Sequence, residues 1–403
     1  MTSTSPDAPA ASGPLSGIRI LDMATVLAAP FSATLCGDMG AEVIKLELPD
    51  GSDSLRTLAP VDLFWKVTNR GKKGLTLDVR KPEGKALFLK LIETIDVLVE
   101  NFRTGTLDKW GLDIATLHQA NPKLIVLRLT GFGQTGPYAA RPGFARIFEA
   151  MSGFANLTGD AQSGPQHMNF PLGDVVSGLF GAFSIATAIV QRAAHPQQRG
   201  SEIDLSATEA MMRLLDPLAA EYEKEGVVRQ RAGNRATYTA PSNMYRTGDG
   251  AYITVVGSSA VIFRRLCHAM QRPELADDER FCSNPARVKH VDVLDGMIAD
   301  WCLAQDFAAV AAALDEHGVP YSKIYSIADV ATDPHYQARQ ALIRLPDKEH
   351  GSLPAPCIVP RITGFDPAAP RTGPDLGEHN AEILSTLGLS RDQMDELRGA
   401  GVI

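Results

Sequence analysis

Along the first half of the chain, short apolar runs alternate with amphipathic stretches. Residues 17–21 (Gly-Ile-Arg-Ile-Leu) read as a strand ending at Asp22, and 30–39 as a helix. Residues 41–47 read as a second strand, 76–79 lead into a helix over 82–94 with Pro82 in its first turn, and 97–100 and 124–130 read as further strands. Strands alternating with helices at this spacing predict a parallel, doubly wound sheet of the α/β class. A long run of small apolar residues, 175–190, reads as a buried helix with Asp174 at or near its N-terminus.

The pattern then changes. Residues 222–242 are polar and turn-rich and read as a linker. The segment Asn243-Met-Tyr-Arg, the turn Thr247-Gly-Asp-Gly and the run 251–256 predict a hairpin, followed by helices near 260–270, 291–304 and 306–317. Pro-rich stretches over 354–374 lead to a helix near 380–387. The expected organisation is a tail over 1–14, a large Rossmann-like α/β domain over 15–221, a linker over 222–242, a smaller α+β domain over 243–335, and a linker and C-terminal segment over 336–403. No internal repeat is visible.

Composition narrows the function classes. With 403 residues, two or three domains are expected, and 44% apolar with 21% charged residues is ordinary for a soluble globular chain. A net charge of −8 without a basic run speaks against nucleic acid. Five cysteines (36, 267, 282, 302, 357), never paired as C-x-x-C, point to reduced thiols in the cytoplasm and no zinc site. The first fourteen residues lack a basic and an apolar region, so they read as a disordered tail and not a signal peptide. The 175–190 run is too short to span a bilayer, so no membrane is expected.

The chemistry centres on Asp174. A carboxylate behind a glycine at a helix start is favoured by exposed amides and the helix dipole, and serves either as an N-cap or as a positioned anionic nucleophile. Gly131-Phe-Gly-Gln-Thr-Gly136 matches a dinucleotide fingerprint, but Pro137 follows at once and Arg141-Pro-Gly interrupts again. The fingerprint needs a helix opening at its third glycine, so these glycines read as a tight loop beside a ligand or a subunit contact. His167, seven residues before Asp174, reads as a surface or hydrogen-bonded histidine that could also line the site, His379 as part of a terminal turn, and Cys36 as a buried thiol with no visible base beside it; the histidines form no i,i+4 pair with a carboxylate suggestive of a metal.

Several further segments occur in a recognisable order: Leu35-Cys-Gly-Asp-Met-Gly-Ala-Glu-Val-Ile-Lys, Asn69-Arg-Gly-Lys-Lys, Val99-Glu-Asn-Phe-Arg-Thr-Gly-Thr-Leu-Asp-Lys-Trp-Gly, Gly131-Phe-Gly-Gln-Thr-Gly-Pro, Gly173-Asp174, Arg199-Gly-Ser-Glu-Ile-Asp-Leu-Ser, Gly233-Asn-Arg and Leu376-Gly-Glu-His. Together they resemble the class III CoA-transferase family (CaiB/BaiF, formyl-CoA transferase-like), from about residue 15 to the end. The resemblance implies an interlocked homodimer, with the segment after about 340 returning to the large domain. It implies no tightly bound cofactor, coenzyme A and acyl-CoA as substrates, and Asp174 as a nucleophile forming anhydride and aspartyl-CoA thioester intermediates. It places CoA contacts at Val26, Leu77, Arg80, Asn101, Phe102, Arg103 and Lys109.

Departures from the family pattern narrow the reaction. Acyl-CoA racemases and isomerases on this fold carry a Gly-His-Asp segment where this chain has Gly143-Phe144-Ala145-Arg146, so the second base of a racemase is absent. Leu27 replaces the Gln of formyl-CoA transferases, and Asn234-Arg-Ala-Thr-Tyr-Thr-Ala-Pro replaces their glycine run, which argues against oxalate. Arg146, Arg235 and Tyr238 are the candidate acceptor contacts. An Arg there would favour an acid with a second anionic group, such as succinate or another small dicarboxylate or sulfinate analogue; the same arginines also suit structural ion pairs or CoA.

Overall fold

The computed structural model describes residues 13–58 and 62–403. Most of the expected tail, residues 1–12, lies outside the described residues. The described chain falls into two compact units: the residues up to Phe154 with Met168–Ala219 and Arg339–Ile403, and Ala155–His167 with Ala220–Ala338.

The first unit is built on six parallel strands, β1 (Arg19–Asp22), β2 (Glu42–Glu47), β3 (Lys73–Thr76), β4 (Val97–Glu100), β5 (Ile125–Thr130) and β6 (Glu202–Ser206), in the order β3-β2-β1-β4-β5-β6. Leu21 pairs with Ile44 on one side and Leu98 on the other, so β1 is central. The central strands are apolar runs because helices cover both faces of the sheet. One face packs on Phe88, Leu91, Ile92, Ile383, Leu384 and Met394, the other on Ala29, Ala33, Val176 and Ile185.

The edge strand β6 does not stand out in the sequence, because Glu202 and Asp204 are exposed and charged and break the apolar run. Arg339–Ile403 completes this unit: Asp78 N–H donates to the Val402 carbonyl at 2.7 Å, Thr76 N–H to Asn380 Oδ1 at 2.8 Å, and Trp65 Nε1 to the Pro374 carbonyl at 2.9 Å. Within the C-terminal segment a hairpin that the sequence did not suggest pairs Leu342–Asp347 with Gly351–Pro356, its second strand running into the Pro-rich stretch.

The helix carrying Asp174 runs from Leu172 to Ala194, longer at both ends than the apolar run predicts. The fully buried reading needs correction. Asp174, Gly178, Gly181 and Ile185 are buried, whereas Leu179 (52% exposed), Phe183 (65%) and Val190 (68%) form an open apolar face. The buried side is a glycine track: a Cβ at Gly178 would sit 2.7 Å from the Ala28 carbonyl oxygen of helix α1 (Ala28–Asp38). At 23 residues it has the length and apolarity to cross a bilayer; close packing on α1 accounts for its composition instead.

The second unit holds an antiparallel sheet of Ser242–Arg246, Tyr252–Val256 and Tyr321–Lys323. Helices Ala260–Ala269, Val291–Leu303 and Phe307–Glu316 pack Phe263, Leu266, Leu294, Ile298 and Leu314 on it. The helix Leu218–Glu225, which enters this unit at Ala220, runs into the segment expected as linker. Residues 155–167, read from sequence within 15–221, fall in this unit: Arg231 donates to the Asn156 carbonyl at 3.0 Å, and Gly233 N–H to that of Gly159 at 3.0 Å.

Candidate active site

The strand order reverses between β1 and β4, and in such sheets ligands bind outside the carboxyl ends of the strands at that point. A cavity of about 320 Å³ lies there. The turn after β1 lines it with Thr25, Val26, Leu27 and Ala28, the turn after β4 with Asn101, Phe102 and Arg103, the loop after β5 with Thr130, Gly131 and Arg141, and the long helix with Asp174.

Asp174 is the third residue of its helix, not the cap; Pro171 holds that position. Gly173 brings the helix start against the Ala145–Met151 helix, since a Cβ there would lie 2.6 Å from the Ala145 carbonyl oxygen. Its N–H donates to Glu149 Oε1 at 3.2 Å, and Glu149 is 1% exposed. Burial, and then the Glu149 carboxylate, push the Asp174 carboxyl up to about 7. That opposes the stabilisation of the anion expected at a helix start. A helix N-terminus gives at most ~2 kcal/mol to an anion. The upward shift from the ordinary 3.8 corresponds to roughly 4 kcal/mol, so desolvation and like charge win.

The sequence candidates separate. Val26, Asn101, Phe102 and Arg103 share the cavity with Asp174. Leu77 is 1% exposed in the core, Arg80 is held bidentately by Asp78 at 2.8 and 2.9 Å, and Lys109 is exposed at the end of the short helix Thr106–Lys109; none of these lines the cavity. Arg146 is exposed and also absent from the lining. Arg235 and Tyr238 belong to the second unit, where Arg235 pairs with Asp292 at 2.6 Å and Asp295 at 2.5 Å, and Tyr238 is exposed.

Two cavity features and one buried residue behind the cavity escaped the sequence reading. Arg141 stacks on Tyr138 with its guanidinium carbon 3.6 Å from the ring centroid. Thr130 is 92% buried by its 8% exposure, and its hydroxyl has no hydrogen-bond partner among the described residues. The buried residue is Glu149, which accepts from the N–H of Gly173 next to Asp174. An acid inside the apolar segment Ile-Phe-Glu-Ala-Met was the available signal. The rejected fingerprint is a loop: Gly133 and Gly136 take φ of 80° and 85°, and no helix opens before Ala145.

The family model for CoA-transferase family III matches residues 15–380. The chain belongs to that family. It is therefore an enzyme of the class III CoA-transferase type, which takes CoA thioesters as substrates. It is 39% identical over 396 residues to the succinyl-CoA–D-citramalate CoA-transferase of Chloroflexus aurantiacus, covering 97% of this chain and 98% of that one. It is 35% identical to the succinate–glutarate CoA-transferase of Agrobacterium fabrum, covering 94% and 97%. A CaiB/BaiF family protein from Brucella suis superposes with a TM-score of 0.83 at 33% identity, covering 93% of this chain and 100% of that one.

Proposed function

We propose that this CoA-transferase moves CoA from succinyl-CoA to a small dicarboxylic acid through covalent intermediates on Asp174. The observation carrying the reading is the Asp174 carboxyl in a cavity at the sheet's switch point. The Chloroflexus and Agrobacterium relatives, named for succinyl-CoA or succinate and for second dicarboxylates, support the donor and acceptor class.

In this mechanism the Asp174 carboxylate attacks the thioester carbonyl, the C–S bond breaks, and an aspartyl anhydride and CoA thiolate form. The thiolate attacks the aspartyl carbonyl, releasing succinate and leaving an aspartyl-CoA thioester. The acceptor carboxylate displaces CoA from it, giving a second anhydride. The thiolate then attacks the acceptor's acyl carbon, which yields the new acyl-CoA and regenerates the carboxylate. One thioester replaces another, so no ATP is consumed. Water must be kept from both anhydrides. Leu27, Ala28 and Phe148 give the cavity apolar walls.

We assign Val26, Asn101, Phe102 and Arg103 to CoA, with Leu77, Arg80 and Lys109 reserved for contacts beyond this cavity. Arg141 we assign to the acceptor's distal carboxylate, ahead of Arg146, Arg235 and Tyr238. Phe144, where a racemase has its second base, disfavours proton exchange. The open apolar face of Leu179, Phe183 and Val190 supports a homodimer, and the unpaired cysteines support a cytoplasmic enzyme.

Peptide mapping after incubation with succinyl-CoA, with and without hydroxylamine, tests the chemistry. A CoA adduct or a hydroxamate at Asp174 is expected; turnover without either overturns the covalent reading. Preference for long or branched monocarboxylates in an acceptor panel would overturn the dicarboxylate reading. Light scattering giving a monomer mass would remove the dimer.

A further inference from the structure

The turn that faces Asp174 is held in an unfavourable conformation by charges buried behind it. Val26 has φ of 65°, the left-handed region. For a β-branched residue this is an outlier, kept only where the surroundings impose it. Val26 and its neighbours Thr25, Leu27 and Ala28 all line the cavity.

Side chains hold the backbone of this turn almost atom by atom. Val26 N–H donates to both oxygens of Asp53, at 3.1 and 3.3 Å. Thr25 N–H donates to Asn101 Oδ1 at 2.8 Å, and Asn101 Nδ2 returns a bond to the Thr25 carbonyl at 2.7 Å. Ala24 N–H donates to Asp22 Oδ1 at 3.1 Å, and the Ala24 carbonyl accepts from Lys45 Nζ. The Pro30 carbonyl, in the first turn of α1, accepts from Lys72 Nζ at 2.8 Å.

The four charged members form one connected, neutral set. Lys72 Nζ lies 2.8 Å from Asp22 Oδ2, while Lys45 Nζ lies 3.8 Å from Asp22 Oδ1 and 3.5 Å from Asp53 Oδ2. The side chains of Asp22, Lys45 and Lys72 are fully buried and that of Asp53 is 1% exposed. A buried pair of this kind adds little net stability over apolar packing, yet losing one partner leaves an uncompensated charge. All four bond the backbone of the stretch from Ala24 to Pro30, and Lys72 Nζ also donates to Asn69 Oδ1 at 2.8 Å. Asp53 also accepts the Leu55 N–H at 3.0 Å, which ties the Asp53–Ser54 loop, itself at the cavity edge through Ser54, to the same turn.

We propose that Asp53, backed by Lys45, is a positioning residue for CoA transfer: it clamps Val26 in its left-handed conformation so that the turn presents its cavity-facing backbone to the acyl-CoA at Asp174. This rests on the reading of the cavity as the acyl-CoA site, and it concerns residues that never touch the reacting atoms.

The test is a double-mutant cycle of Asp53→Asn and Val26→Gly in the full-length protein, assayed with succinyl-CoA and a responsive acid. Asn keeps one acceptor for Leu55 but removes the charge; Gly adopts positive φ without penalty. D53N should lower kcat about tenfold or more while KM for succinyl-CoA changes less than about threefold. In the V26G background the D53N loss should shrink at least about threefold, because glycine needs no clamp. Hydrogen exchange in a peptide spanning residues 22–29 should speed up in D53N. Should D53N not fold, K45M/D53N removes the pair together, leaves Asp22 and Lys72 balanced, and carries the same comparisons. Strict additivity with V26G, or unchanged exchange in the turn, overturns the proposal. D174N is run alongside: if it turns over like the wild type, the reading of the site fails, while the exchange measurement still judges the clamp.

Discussion

The Glu149 carboxylate accepts the backbone N–H of Gly173 at 3.2 Å, which sets a second buried acid beside the nucleophile candidate on the next residue. Two carboxyls in one dry site do not ionise independently. Burial first, and then the neighbouring Glu149 carboxylate, hold the Asp174 carboxyl above its ordinary range.

Glu149→Gln keeps the shape and the acceptor but removes the charge. One of the two causes raising Asp174 disappears, so the acid limb of the kcat/KM profile moves to lower pH. Activity at pH 6 relative to pH 8 should rise above the wild-type ratio. A pH–rate series measures this, and an unmoved limb would leave burial as the only effective cause.

Asp174→Asn should abolish CoA exchange, by at least about a thousandfold in kcat. It should also stabilise the protein at neutral pH. A carboxyl whose folded value is raised costs nothing at low pH, where it is protonated in both states. The cost grows through the window from its ordinary 3.8 to about 7 and is full above that. Thermal melts of both proteins should therefore diverge from pH 4 to pH 8, with the variant higher at pH 8. Superimposed melts at every pH would contradict the raised value.

Gly173→Ala places a methyl 2.6 Å from the Ala145 carbonyl oxygen, against backbone that has no side chain to swing aside. Overpacking of this kind costs about 1–3 kcal/mol and displaces the helix start carrying Asp174. A lower melting temperature together with a kcat loss of about tenfold or more is expected. Loss of stability with full kcat would mean the nucleophile tolerates the shift.

Arg235→Ala strips Asp295 of its guanidinium while the buried carboxylate still accepts from Tyr245 Oη at 2.7 Å and Asn243 Nδ2 at 2.8 Å. With Arg235 one-third exposed, about 1–2 kcal/mol of destabilisation is expected, less than for a fully buried pair. Denaturant unfolding measures it. A large fall in acceptor KM specificity at unchanged stability would instead favour Arg235 as a substrate contact.

The sheet was legible because both faces of β1, β4 and β5 are covered and their sequences are continuous apolar runs. The place of Asp174 in the first turn of a long helix was legible from the glycine before it and the apolar run after it, whereas its nucleophilic role is read from the family resemblance. What failed to show were features whose cause lies in tertiary partners. Lys45 sits in β2 like any strand lysine, and nothing local reveals that Asp22 and Asp53 enclose it. Arg80 matched a family position but is engaged by Asp78 two residues away. Pro346, Pro354 and Pro356 hide the two-stranded hairpin over 342–356, where a strand with a free edge accommodates proline.

The parts of the site do not come from one kind of element. Asp174 stands on a helix fixed by glycine contacts to α1 and to the Ala145–Met151 helix, whereas Leu27, Arg141 and Phe144 stand on loops. Substitutions in those loops can resize or recharge the pocket without shifting the nucleophile's backbone. The choice of acid can thus drift in evolution, or be redirected in the laboratory, while the exchange chemistry is inherited intact.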